Sequence, residues 1–108
     1  MTTTYKILGQ VVPTLGAEAE LYAAVNPTVI STVVACNQGS GSTSFRLSVS
    51  QGGGATATKD YLYYDVPIPG NDTFAATFGI TLATGDKIRA YIPSGAVVAF
   101  AVFGSEIS

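Results

Sequence analysis

Apolar and polar residues alternate along most of this chain with a period of two, the repeat of a β-strand whose successive side chains point to opposite faces. Thr43 to Ser50 is the clearest stretch, with Phe45, Leu47 and Val49 on one side and Ser44, Arg46, Ser48 and Ser50 on the other. Thr73 to Leu82 repeats the pattern: Phe74, Ala76, Phe78, Ile80 and Leu82 face inward, and small Thr73, Ala75, Thr77, Gly79 and Thr81 face outward. In Lys87 to Ile92 the inward set is Ile88, Ala90 and Ile92, with Lys87, Arg89 and Tyr91 outside. Thr4 to Gln10 opens the chain with Tyr5, Ile7 and Gly9 on one side. Asp60 to Asp65 is a short aromatic strand, Tyr61 and Tyr63 facing one way and Leu62 and Tyr64 the other, which Pro67 and Pro69 keep from continuing as a central strand.

Two runs are apolar on both faces. Thr28 to Asn37 is rich in β-branched residues, as a central sandwich strand is. Ala96 to Phe103, written AVVAFAVF, is the sharper case: one face, read as Val98, Phe100 and Val102, closes the sandwich, and the other, Val97, Ala99, Ala101 and Phe103, is the candidate interface with a second copy, the alternation being equally consistent with the reverse. Gly16 to Pro27 has some helical character in GAEAELYAA, but it lacks an N-cap, is short and ends at Pro27, so a brief strand around Leu21 and Tyr22 is the reading adopted.

Gly- and Pro-containing turns separate these runs: NQGSGS after Asn37, GND before Thr73, ATGD before Lys87 and Pro93-Ser94-Gly95 before the last strand. QGGGATAT, from Gln51 to Thr58, reads as a flexible loop, in which Gly53→Ala costs no more than about 1 kcal/mol unless the glycine has a positive φ. Strands at 8–12-residue spacing predict an all-β, single-domain antiparallel β-sandwich, jelly-roll-like, of about seven to eight strands spanning residues 1–108.

Composition sharpens this expectation. Charged residues make up 11% of the 108 residues, against roughly 25% in an average soluble domain, and the mean hydropathy is +0.38. Part of such a surface is expected to be covered in an assembly. Five basic residues against seven acidic ones give a net charge of −2, which argues against nucleic-acid binding. No apolar run approaches the ~18 residues of a membrane span, and the opening MTTTYKILGQ has neither part of a secretory signal, so no membrane association is expected.

Candidate chemistry is sparse. There is no histidine, which removes histidine-based triads and the commonest zinc ligand, and no catalytic, cofactor-binding or metal residue is assigned. Cys36 is the only cysteine and reads as a buried, inert thiol. Asp60, Asp65, Asp72 and Asp86 stand where Asp serves turns by hydrogen bonds to backbone. Tyr61, Tyr63 and Tyr91, with Tyr64 beside them, are the candidate surface-binding residues for a sugar or peptide, because a ring packs on C–H groups while its hydroxyl bonds. Packing against a strand or a subunit is the plainer role for the same rings.

Several stretches are familiar together: YKILGQ, LYAAVNPTVISTVVACNQG and YLYYDVPIPGNDTFAATFGITLATGDKIRAYIPSGAVVAFAVFGSEIS. They resemble a group of small bacteriophage virion proteins, from tailed phages of cyanobacteria and other aquatic bacteria, with the pattern YxVLGQ, LYTVP, VVSTIVVCNRG, YLYYDxxI, GITLAxTD and FGxEI. The resemblance spans almost the whole chain. LYAAV replaces LYTVP, and Gln38 stands where Arg is frequent, so no role of that arginine carries over. The resemblance implies a non-enzymatic structural part of a virus particle, made in the host cytoplasm. The reading adopted is a capsid decoration (cement) protein that self-associates, as a trimer, and contacts the major capsid protein. A tail or fibre component with tail-protein partners, or a receptor- or glycan-binding module, is the alternative.

Overall fold

The computed structural model describes residues 2–93 and 97–108; the side chain of Phe78 is not described. The expected Pro93-Ser94-Gly95 turn, the start of the last strand at Ala96 and the inward placement of Phe78 therefore lie outside the described residues. Eight strands are present: β1 (Thr3–Val11), β2 (Glu18–Ala23), β3 (Thr28–Asn37), β4 (Thr43–Ser50), β5 (Tyr61–Ile68), β6 (Thr73–Leu82), β7 (Lys87–Tyr91) and β8 (Val98–Ile107). Between β4 and β5 lie two 3-10 turns, Gln51–Gly53 and Thr58–Asp60.

The strands form two four-stranded sheets, in the orders β1-β8-β3-β6 and β2-β7-β4-β5, and every pair is antiparallel. First pairs with last, second with seventh, third with sixth and fourth with fifth, as if one long hairpin had been rolled up on itself. This is the double Greek key of the jelly roll, and it bears out the β-sandwich expected from the strand spacing.

Alternation explains the core. Ile30, Val33, Ala35, Val98, Phe100 and Val102 project from one sheet; Leu21, Phe45, Leu47, Ile88 and Ala90 project from the other, and all are buried. Phe45 is the centre of an aromatic cluster, with ring centroids 5.1 Å from Phe74, 5.9 Å from Phe100 and 6.0 Å from Tyr63. Burying side chains of this size stabilises by about 1.5–3 kcal/mol each, before the entropy of ordering them is subtracted.

Four expectations are corrected. β8 runs on past Phe103 to Ile107, and Gly104 permits this, because a Cβ there would sit 2.1 Å from the Val29 carbonyl oxygen. β5 runs past the expected end at Asp65 to Ile68, through Pro67; it does so as the edge of its sheet, as the two prolines require, and not as a central strand. The Gln51–Thr58 loop is held rather than flexible. Arg89 donates to the carbonyls of Gly53 and Gly54 at 3.1 and 2.7 Å and to Thr56 Oγ1 at 3.1 Å, while the Gly52 N–H bonds Asp86 Oδ1 at 2.8 Å. Cys36 is half-buried on the outer face of its sheet, not in the core.

Polar groups lock both ends of the sandwich. Asn37, 1% exposed, turns its Nδ2 toward the carbonyls of Gly41, Ile68 and Pro69 and accepts from the Gly39 N–H, so one amide ties two turns together. At the other end Glu106 on β8 forms a 2.8 Å ion pair with Lys6 and accepts a hydrogen bond from the Tyr22 hydroxyl across the sandwich. The Lys6 bond, with that from Tyr22, holds the Glu106 carboxyl below its ordinary pKa, and burial beside that carboxylate raises Tyr22.

Candidate functional site

Two surfaces qualify, one on each outer face. On the β2-β7-β4-β5 sheet, Arg46 of β4 stands opposite Tyr91 of β7 in the ladder. Its guanidinium lies 4.1 Å from the ring centre of Tyr64, 4.9 Å from Tyr91 and 5.9 Å from Tyr61, and it pairs with Asp65 through Nε at 2.7 Å and a terminal nitrogen at 3.3 Å. The fork-to-carboxylate bond raises the Arg46 pKa, so the cation persists at any working pH. Tyr61 meets Tyr64 edge-on at 4.9 Å and 81°.

The register of β5 makes this cluster. Ser48 pairs with Tyr61, Leu47 with Tyr63 and Phe45 with Val66, so β5 carries two more residues than β4 over that stretch. One of them, Asp65, has φ 53°, in the left-handed region where bulged residues sit. The bulges put Tyr61 and Tyr64 on the outer face and turn Tyr63 inward, 5.2 Å from Phe74 and 6.0 Å from Phe45. Of the three tyrosines expected at a surface site, Tyr61 and Tyr91 meet around Arg46, and Tyr63 packs in the sandwich instead. Strict alternation, which ignores extra residues, had paired Tyr61 with Tyr63. The alternation of β4 did place Arg46 outside; nothing local announced that three rings would surround it. Tyr64, 57% exposed, borders an open depression together with Tyr61, Thr56, Ala57 and Thr58.

Of the four aspartates, three serve turns as expected. Asp60 accepts from Ala57 N–H, Asp72 from Thr73 N–H and Asp86 from the N–H groups of Ala83 and Gly52. Hydrogen bonds from Lys59 and from Ala57 N–H hold Asp60 below its ordinary pKa. Asp65 departs from this role and clamps Arg46.

On the β1-β8-β3-β6 sheet the outer residues of β8 are Ala99, Ala101 and Phe103, with Val97 just before the strand and 50% exposed. Their neighbours Val98, Phe100 and Val102 are at most 2% exposed. The candidate interface set thus shares one face and points away from the core. Beside it lie Tyr5 and Ile7 of β1, Val29, Val34 and Cys36 of β3 and Ala75 and Thr77 of β6. Shallow hollows run between these residues. No charged side chain alternates onto this face, because Lys6 and Glu106 belong to the opposite alternation and pair with each other.

No family model, curated protein or solved structure matches the chain. Among the described residues no three His, Cys, Asp or Glu side chains gather to hold a metal ion, and no helix is long and apolar enough to cross a membrane.

Proposed function

We propose that this chain is a non-enzymatic structural protein of a phage particle, a decoration protein that covers the uncharged outer face of its β1-β8-β3-β6 sheet by contact with other copies and with the major capsid protein. The observation that carries this reading is that face: Tyr5 is 83% exposed, Ile7 55% and Val97 50%, and the one charge beside them, Lys6, is turned to Glu106. Apolar surface of this kind is covered in assemblies. The motif resemblance supplies the virion context, and the jelly roll, a fold that also serves many other tasks, is compatible with it. Mass measurement of the purified protein at micromolar concentration, with co-sedimentation on phage capsids, tests the proposal. Self-association is expected, together with capsid binding that Ala101→Glu abolishes. A clean 11.1 kDa monomer with no affinity for capsids overturns the reading.

A second reading is favoured by the Tyr64 ring, which is exposed beside the Thr56–Thr58 depression and backed by Arg46. In that reading the chain is a tail- or fibre-associated module, and Tyr61, Tyr64 and Tyr91 receive a glycan. A glycan array probed with the wild-type protein and with Tyr64→Ala tests it; no hits, or hits that survive the substitution, remove it.

A further inference from the structure

A two-sheet sandwich has four edge strands, and edge strands expose backbone groups that invite pairing with another chain. Here they are β1, β6, β2 and β5. Three are protected. β1 carries Lys6 in its first half and at Gly9 lies backbone to backbone against β2, where a Cβ would come 2.0 Å from the Leu21 carbonyl oxygen. β2 has only six residues, and two of them are Glu18 and Glu20. β5 carries Pro67, is followed by Pro69, and is bent by two extra residues with Asp65 in the left-handed region.

β6 has none of these protections over its first half. Its ten residues, TFAATFGITL, contain no charge and no proline. The one register irregularity against β3 falls after Thr77, which leaves Thr73 to Thr77 regular. The Asn37 N–H donates to the Asp72 carbonyl at 2.9 Å, so the backbone groups of Asp72 face β3. In an antiparallel ladder this orientation alternates: Phe74 and Ala76 also face β3, while Thr73, Ala75 and Thr77 turn their N–H and C=O groups to the free edge.

We propose that two copies of this chain join by antiparallel pairing of β6 with β6 about a twofold axis, forming one continuous eight-stranded sheet. The inference rests on the self-association proposed above and assigns the contact between copies to this edge, leaving the outer face for the capsid. A second copy is the occupant because an uncharged strand suits itself and offers a charged partner nothing. The other three edges of the same chain carry a covering strand, charges or a proline, which disfavours head-to-tail addition and favours the self-complementary pair. Pairing also joins the two uncharged outer faces side by side, since Ala75 and Thr77 adjoin Val34 and Thr32 in the register. The count expected is two, not the trimer expected of a decoration protein.

The test combines light-scattering mass with hydrogen exchange of the full chain at rising concentration. A mass of twice 11.1 kDa is expected, together with concentration-dependent protection of the Ala75 and Thr77 amides. Ala75→Pro removes an edge-facing N–H without removing a bond to β3, and Ala75→Lys puts a charge at an exposed position. Both are expected to yield folded monomers with unchanged circular dichroism. A monomer at every concentration, a trimer, or a dimer whose mass survives both substitutions overturns the inference. Association lost in Ala101→Glu but retained in both Ala75 variants overturns it while sustaining the decoration reading, because the contact is then the face and not the edge.

Discussion

The two outer faces of this sandwich arise from the same alternation and end in opposite conditions. On the β2-β7-β4-β5 side the outward positions include Arg46, Lys87 and Arg89, and the chain supplies partners for them. Asp65 and three tyrosine rings surround Arg46, Glu20 pairs with Lys87 at 3.0 Å, and the Gln51–Thr58 loop is drawn onto Arg89. On the β1-β8-β3-β6 side the outward positions are mostly Ala, Val, Thr, Tyr, Ile and Phe, and no loop of the chain is drawn over Tyr5, Ile7 and Val97. Charge made the first face self-sufficient. A face without charge has no directional groups with which to recruit its own loops, so its cover must come from another molecule.

Substitutions at two consecutive residues of β8 separate the faces most strongly. Phe100→Asp places a carboxylate in the aromatic cluster and should cost at least about 3–5 kcal/mol, seen as loss of the cooperative thermal transition. Ala101→Asp, one residue on, should leave that transition almost where it was and act only on assembly, read by co-sedimentation with capsids. Equal destabilisation by the two would mean that the outer face is covered within the monomer.

The charged face breaks at its loop. Gly53 has φ 75°, and a Cβ there would lie 2.9 Å from the Gly85 carbonyl oxygen, so Gly53→Ala falls under the exception to the tolerance expected of it and should cost about 1–3 kcal/mol. Arg89→Ala removes three hydrogen bonds from the same loop and should destabilise by about 1.5–3 kcal/mol, with faster amide exchange confined to Gln51–Thr58. Unchanged exchange would show that the loop holds itself.

The smallest effect expected is a pH dependence at the end that joins the sheets. The folded Glu106 carboxyl is held below its ordinary value of 4.5, so the unfolded chain takes up the proton first as the solution is acidified. Its contribution is complete above about 4.5 and is lost as pH falls through the lower folded value. Glu106→Gln should flatten that part of the acid limb in thermal melts taken from pH 6 down to 3; an unchanged slope would assign the limb to Asp60, whose carboxyl is depressed in the same direction by Lys59.

Strand content was legible because burial on one face writes a period of two into the sequence: Thr43–Ser50 and Thr73–Leu82 have the bounds that alternation predicts, and Thr28–Asn37 the bounds of its β-branched run. The strand of tyrosines was misread for the same reason. A bulge inserts a residue without changing local composition, so Tyr63 carries no mark that it points inward. Asn37 is equally silent, since its three carbonyl partners come from two turns, one of them about 30 residues on.

Alternation, turn residues and scarcity of charge together determined an all-β sandwich whose last strand is apolar on both faces; the structure turned Val97, Ala99, Ala101 and Phe103 outward. These are local properties, set by which side chains can face water. Only the tertiary structure decided that Arg46 is the hub of the tyrosines, that Arg89 anchors the glycine loop and that β6 is the unguarded edge. Each depends on strand order and register, which bring together residues far apart in the chain and which no local pattern encodes.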